Sequence, residues 1–203
     1  MIPGWPPNPG RPRPKSRPPG DPLGQQGLPE WLQERLFARR LVLLSGYLDD
    51  AAATRAVAEL LTLDAAGDEP IDLSLNCPDS TLEAAVMLMD TLELLRAPVH
   101  ALCLGEVGGP AVGVLATARS RAATRNARFR LALPRIEVAG TPEQLAERSQ
   151  RQQQLLERFQ SALARATGQP VAVIARDLAA GRVLDAAEAL RYGLIDGVSP
   201  AAR

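Results

Sequence analysis

The chain has 203 residues, enough for one domain with a hydrophobic core plus a tail. Its 23 basic and 23 acidic residues cancel, so no net field marks nucleic acid or an anionic membrane as a partner. Cys77 and Cys103 are too few for a disulfide scaffold or a zinc site and fit a reducing cytoplasm, and the single histidine, His100, excludes most His-built metal centres, so neither metal nor cofactor is expected.

Residues 1–27, MIPGWPPNPGRPRPKSRPPGDPLGQQG, are dominated by Pro and Gly, and every charge before Asp21 is basic. The stretch lacks a signal-peptide hydrophobic region. Its apolar content is too small to offset the entropy of ordering, so a solvated tail is expected, with docking of its PxxP-like parts on an aromatic groove as the functional alternative. Residues 28–203 read as one domain. LPEWLQERLFARR is a short amphipathic helix, and RLVLLSG (40–46) a buried strand. Residues 49–68 read as a helix capped by Asp49 or Asp50 and stopped near Gly67, 70–78 as a strand, and 80–96 as a helix opened by a Ser80/Glu83 capping box. A strand over 97–105 is followed by GEVGGPAVGVLATA (105–118), a turn and a short buried helix. NARFRLALP (126–134) alternates as a strand, residues 141–168 form one long helix capped by Thr141, 170–181 and 185–193 are further helices, and LIDGV is a closing strand. Such alternation implies an α/β domain of repeated right-handed crossovers. No apolar run approaches the ~20 residues of a membrane span.

GEVGGPAVG resembles the strand-to-helix turn on which hydrolases present a nucleophile, yet it holds no Ser or Cys, and Thr117 lies deep in the helix. The other groups that could do chemistry read blandly. Ser80 is a helix cap, and the two cysteines have no evident cation or base beside them. His100 falls inside a strand as a packed or edge residue.

Several stretches together resemble the proteolytic subunit of the Clp protease, ClpP: LVLLSGYLDD, LNCPDS, RAPVHALCLGEVGG, ARFRLALP, ATGQPVAVIARD and DAAEALRYGLIDGV. The last is close to that family's S-A-E-E-A-x-x-Y-G-L-I-D ending, and the resemblance runs from about Leu28 to Val198. It implies a crotonase-like superhelix of βαβ units with a protruding handle helix, here about 141–166. It also implies heptameric rings, two of which stack through the handles. In the family's G-x-A-A-S-M-G-like turn the serine position falls here on Gly109. Its H-Q-P tripeptide reads ALP, which puts Ala132 at the histidine, and the aspartate position, four residues past Asp177, is Gly181. The oxyanion positions are degenerate as well. Pro110 has no N–H to donate, and S-P-G-G has become CPDS, with Asp79 and Ser80 in place of the glycines.

The resemblance therefore implies a catalytically inactive subunit, structural or regulatory, in a cytoplasmic Clp-type particle, partnered by itself or by active ClpP-type subunits. Two alternatives stand beside it: a peptidase with an unconventional nucleophile such as Ser80, and a non-catalytic adaptor built on the same shell. Leu155, Leu156, Phe159 and Leu163 form an apolar stripe expected to pack on another subunit, unless the helix folds back on its own domain. The cleft in which the family docks its ATPase would present Asp72 and Ser74, badly matched to an apolar anchor. A one-residue slip would present Leu73 and Leu75 instead.

Overall fold

The computed structural model describes residues 29–134 and 142–199. The tail, Thr141 and the side chains of residues 30 and 142–148 lie outside the described residues. The elements in chain order are α1 (Glu30–Ala38), β1 (Leu41–Ser45), α2 (Asp50–Ala66), β2 (Ile71–Asn76), α3 (Leu82–Leu94), β3 (Val99–Cys103), β4 (Glu106–Gly108) and α4 (Ala111–Thr117). There follow β5 (Ser120–Ala123), β6 (Arg128–Arg130), α5 (Pro142–Thr167), α6 (Val171–Ala180), β7 (Val183–Asp185), α7 (Ala186–Tyr192) and β8 (Gly197–Val198).

Five strands form a sheet of order β1-β2-β3-β5-β8 in which every pair is parallel. The helices between consecutive strands make this possible, because parallel neighbours need a long crossover. Alternation in β2 sends Ile71, Leu73 and Leu75 into the core with no exposed surface, and leaves Asp72 exposed opposite His100 on β3. Helix α2 answers with Ala53, Ala56, Leu60 and Leu63, all buried. The Asp49 carboxylate accepts the Ala52 N–H at 2.8 Å to open that helix, and Gly67 ends it. Arg40 closes the far end, its guanidinium donating to the carbonyls of Leu63, Gly67 and Glu69 at 2.8–3.0 Å. A second, three-stranded sheet pairs β4 with β6 in parallel and β6 with β7 antiparallel.

Three expectations are corrected. The cap of α3 is Thr81, whose hydroxyl accepts the Ala84 N–H at 3.1 Å, and not Ser80; Ser80 is drawn into a parallel bridge with Leu48 one residue earlier. The strand read over 126–134 is regular only at Arg128–Arg130. The stripe on the long helix is not left for a partner. Phe159 and Leu163 are 1% exposed inside their own subunit, and Leu155 and Leu156 pack partly buried against the same core. The reason is Gly113 on α4. A methyl group there would lie 2.6 Å from the Phe159 ring and 2.5 Å from Met89 Sδ, so its absence lets α5 close on α3 and α4. Gln152 on α5 also donates to Glu83 on α3. The described C-terminal half of α5 thus folds back on its own domain. Among the described residues, no helix is long and apolar enough to cross a membrane.

Candidate functional site

The small sheet decides where the site lies. Its register aligns Gly108, Arg130 and Val183 in one row across β4, β6 and β7. Just past that row, the Gly109 N–H donates to the Arg130 carbonyl at 2.9 Å, and the Leu131 N–H donates to the Arg182 carbonyl at 2.8 Å. Gly109, Ala132 and Gly181 are therefore gathered at the same end of the sheet by three different elements. The three residues named from the resemblance share one place.

None of the three carries a side chain able to attack, accept a proton or orient a base. Gly109 adopts φ +56°, the left-handed region. Gly181 is the left-handed C-cap of α6 at φ +65°. Pro110 follows Gly109 and opens α4, a helix buried from Ala111 to Ala116. At that position the chain has no N–H to offer a developing oxyanion.

The turn Cys77–Pro78–Asp79–Ser80 faces this seat. The Gly108 N–H donates to the Cys77 carbonyl at 2.9 Å, and a methyl group on Gly108 would lie 2.2 Å from the Pro78 carbonyl oxygen. A methyl group on Gly109 would lie 2.3 Å from Asp79 Oδ1. The space for a side chain at position 109 is thus filled by the Asp79 carboxylate. That carboxylate is held from two sides: Oδ1 accepts the Ser80 N–H at 3.0 Å, and Oδ2 lies 3.6 Å from Arg130 Nη2. Arg130 also donates to the Pro78 carbonyl, and its Nε is 3.8 Å from Glu106 Oε1. Arg130 was not among the residues singled out from sequence. Its signal was the alternation of ARFR, which puts it across from Gly108.

The remaining candidates are explained by their surroundings. Ser80 is 2% exposed, and among the described residues its hydroxyl has no hydrogen-bond partner and hence no base. Burial pushes the Cys77 thiol up to about 12 and the Cys103 thiol to about 11, away from thiolate chemistry at neutral pH. His100 sits half-exposed on β3 with Nδ1 3.8 Å from Asp72 Oδ1, on a central strand paired on both sides and not at an edge. Leu73 and Leu75 are fully buried, so the strand has not slipped and Asp72 is the residue presented outward. Ser74, expected beside Asp72 in the docking cleft, is instead buried at 8% exposed, because β2 leaves Asp72 exposed and Ser74 covered.

Near the end of α6, which Gly181 caps, lies a tighter cluster that sequence reasoning did not weigh. Asp177 on α6, 4% exposed, accepts from Arg176 at 3.0 Å, from Arg182 at 2.9 Å and from the Tyr192 hydroxyl at 3.0 Å. Burial pushes its carboxyl up, but the three donors together outweigh burial and hold it below the usual carboxylate range. Tyr192 is driven the other way, to about 12, by burial first and then by its bond to Asp177. Arg182 also stacks over the Tyr192 ring at 5.3 Å.

A parallel α/β domain with a long helix laid on it, and a strand-to-helix seat at the end of a small second sheet, has the architecture of the ClpP type. Comparison with known proteins narrows the class. The Clp protease family model matches residues 29–201. The chain is 33% identical over 172 residues to ATP-dependent Clp protease proteolytic subunit 1 of Rhodococcus jostii, covering 81% of this chain and 76% of that one. It is 30% identical over 185 residues to ATP-dependent Clp protease proteolytic subunit 3 of Streptomyces avermitilis, covering 90% and 84% respectively. Against proteolytic subunit 1 of Mycolicibacterium paratuberculosis the identity is 31% over 169 residues, with 81% and 80% covered. The chain belongs to the Clp protease family.

Proposed function

We propose that this chain is a catalytically inactive member of its family, a structural or regulatory subunit of a Clp-type proteolytic particle. The observation that carries the proposal is the exchange at the seat. Position 109 has no side chain, and the Asp79 carboxylate, braced by Arg130, occupies the space one would take. A carboxylate there has the wrong sign for stabilising a tetrahedral oxyanion, and Pro110 withholds a donor. Losing a single such donor lowers turnover by roughly 10²–10³-fold. The relatives are named as proteolytic subunits of an ATP-dependent protease, which supports a place in a particle of that kind, beside copies of itself or catalytically complete subunits in rings. The exposed Asp72 argues against the usual apolar docking of an ATPase loop on this subunit, leaving that contact to its partners.

Two measurements on the full chain test the reading. Affinity capture from the native cell is expected to bring down catalytically complete Clp subunits in fixed ratio. The purified chain alone is expected to leave fluorogenic peptides intact. Peptide turnover that disappears when Ser80 is replaced by Ala would overturn the reading in favour of an unconventional nucleophile. A chain that stays monomeric when mixed with active subunits would favour an adaptor.

A further inference from the structure

Helix α1 differs from the other helices in how little of it is buried. It spans nine residues, starts after Pro29 with no side-chain cap, and buries none of its described side chains fully. Only Leu32 and Leu36, one turn apart, are half-buried toward the domain. An uncapped helix shorter than about 12 residues is marginal without tertiary support. Its exposed surface is also unusual in kind. Six aromatic residues lie between 29 and 199. Phe129, Phe159 and Tyr192 are in the core, whereas Trp31 (61%), Phe37 (37%) and Tyr47 (56%) are exposed within one short stretch. Helical spacing of 100° per residue puts positions 30, 34 and 38 on the outward face, opposite Leu32 and Leu36, with Trp31 and Phe37 flanking it on either side. The outward face of α1 therefore carries the exposed Glu34, with Trp31 and Phe37 on either side.

The chain carries a segment whose chemistry fits that face. Residues 1–20 contain Arg11, Arg13, Lys15 and Arg17 and no acid, interleaved with Pro9, Pro12, Pro14, Pro18 and Pro19. Proline-rich sequence favours the polyproline II helix, whose docking on aromatic side chains needs little further ordering. The segment ends where α1 begins. In the polyproline II conformation, at ~3.1 Å per residue, Pro9–Pro19 would span roughly 30 Å, more than twice the ~13 Å length of α1. Gly20, Gly24 and Gly27 stand between it and α1 in the sequence. We infer that residues 1–28 dock on the outward face of α1 of the same chain, prolines against Trp31 and Phe37 and basic side chains against Glu34. This assignment is independent of whether the subunit is catalytic.

Trp5 and Trp31 are the two tryptophans, so Trp5→Phe leaves Trp31 as a sole reporter in the full chain. Its emission and acrylamide quenching are compared with those of a second full chain that also carries Arg11, Arg13, Lys15 and Arg17→Ser and Pro12, Pro14, Pro18 and Pro19→Gly. Circular dichroism confirms that both are folded. Docking predicts a shielded Trp31 in the first chain and, in the second, a red shift with a rise in the quenching constant of about threefold as the charged and aromatic contacts are lost. Equal quenching in the two chains overturns the inference. Shielding that appears only at high micromolar concentration, in both chains alike, overturns it too and assigns the face to a second copy.

Discussion

The surroundings of Asp177 and of Gly109 have opposite characters. Around Asp177 the polar framework is complete: a buried carboxylate meets two guanidiniums and a phenol, and the α6–β7 turn is pinned by it. Around Gly109 the framework is held instead by backbone bonds and by the contacts of Arg130 with Asp79 and Glu106. The difference teaches that the geometry of such a seat does not depend on its chemistry. Backbone bonds from Gly109 to Arg130 and from Leu131 to Arg182 position the three elements, and these need no catalytic side chain.

If that division holds, the largest loss of stability comes from the Asp177 side. Asp177→Ala leaves Arg182 and the Tyr192 hydroxyl without their acceptor and is expected to lower stability by about 3 kcal/mol, read by denaturant titration. The depressed carboxyl adds a pH signature. Its stabilising contribution is fully present above the unfolded value of roughly 3.9 and is lost as pH falls through the lower folded value, a loss that Asp177→Asn should remove. Tyr192 gives the mirror image. Its contribution is present below the unfolded value near 10 and is lost as pH rises toward about 12.

Next in size is Gly108→Ala. The added methyl group meets a backbone carbonyl, which cannot swing aside, so a loss of about 2 kcal/mol is expected in the same titration. Gly109→Ser is milder, about 1 kcal/mol, because it meets the movable end of Asp79 and carries mainly the strain of a left-handed backbone. A Gly109→Ser loss larger than that of Gly108→Ala would mean that Asp79 is rigidly fixed. Smallest of all, alkylation of Cys77 and Cys103 in the folded chain at neutral pH should be barely detectable, since both thiols are buried and held protonated.

Much of this was legible in the sequence, and the exceptions have physical causes. Long periodic helices and the strands at 41–45, 71–76 and 99–103 declare themselves because their apolar positions repeat often enough to register. Strands β4, β5 and β7, of three or four residues, do not, since a period of two needs more length to stand out. That Gly109, Ala132 and Gly181 bring no nucleophile, base or carboxylate follows from residue identity alone. The filling of the space at Gly109 by Asp79 does not, because it depends on a contact between a turn and a strand end some thirty residues apart. The handle stripe failed for a related reason: amphipathicity shows that Phe159 and Leu163 must be buried, but only Gly113 reveals that their own subunit receives them.

The central claim is that the seat is closed to serine chemistry by its framework and not merely by missing residues. The triple variant Gly109→Ser, Ala132→His, Gly181→Asp tests it most directly, with a fluorophosphonate probe read by intact mass and a fluorogenic peptide read by turnover. With Pro110 and Asp79 in place, the folded variant is expected to show no adduct at position 109 and no peptide turnover. A stoichiometric adduct at that position, accompanied by cleavage that Gly109→Ala in the same background abolishes, would contradict the account.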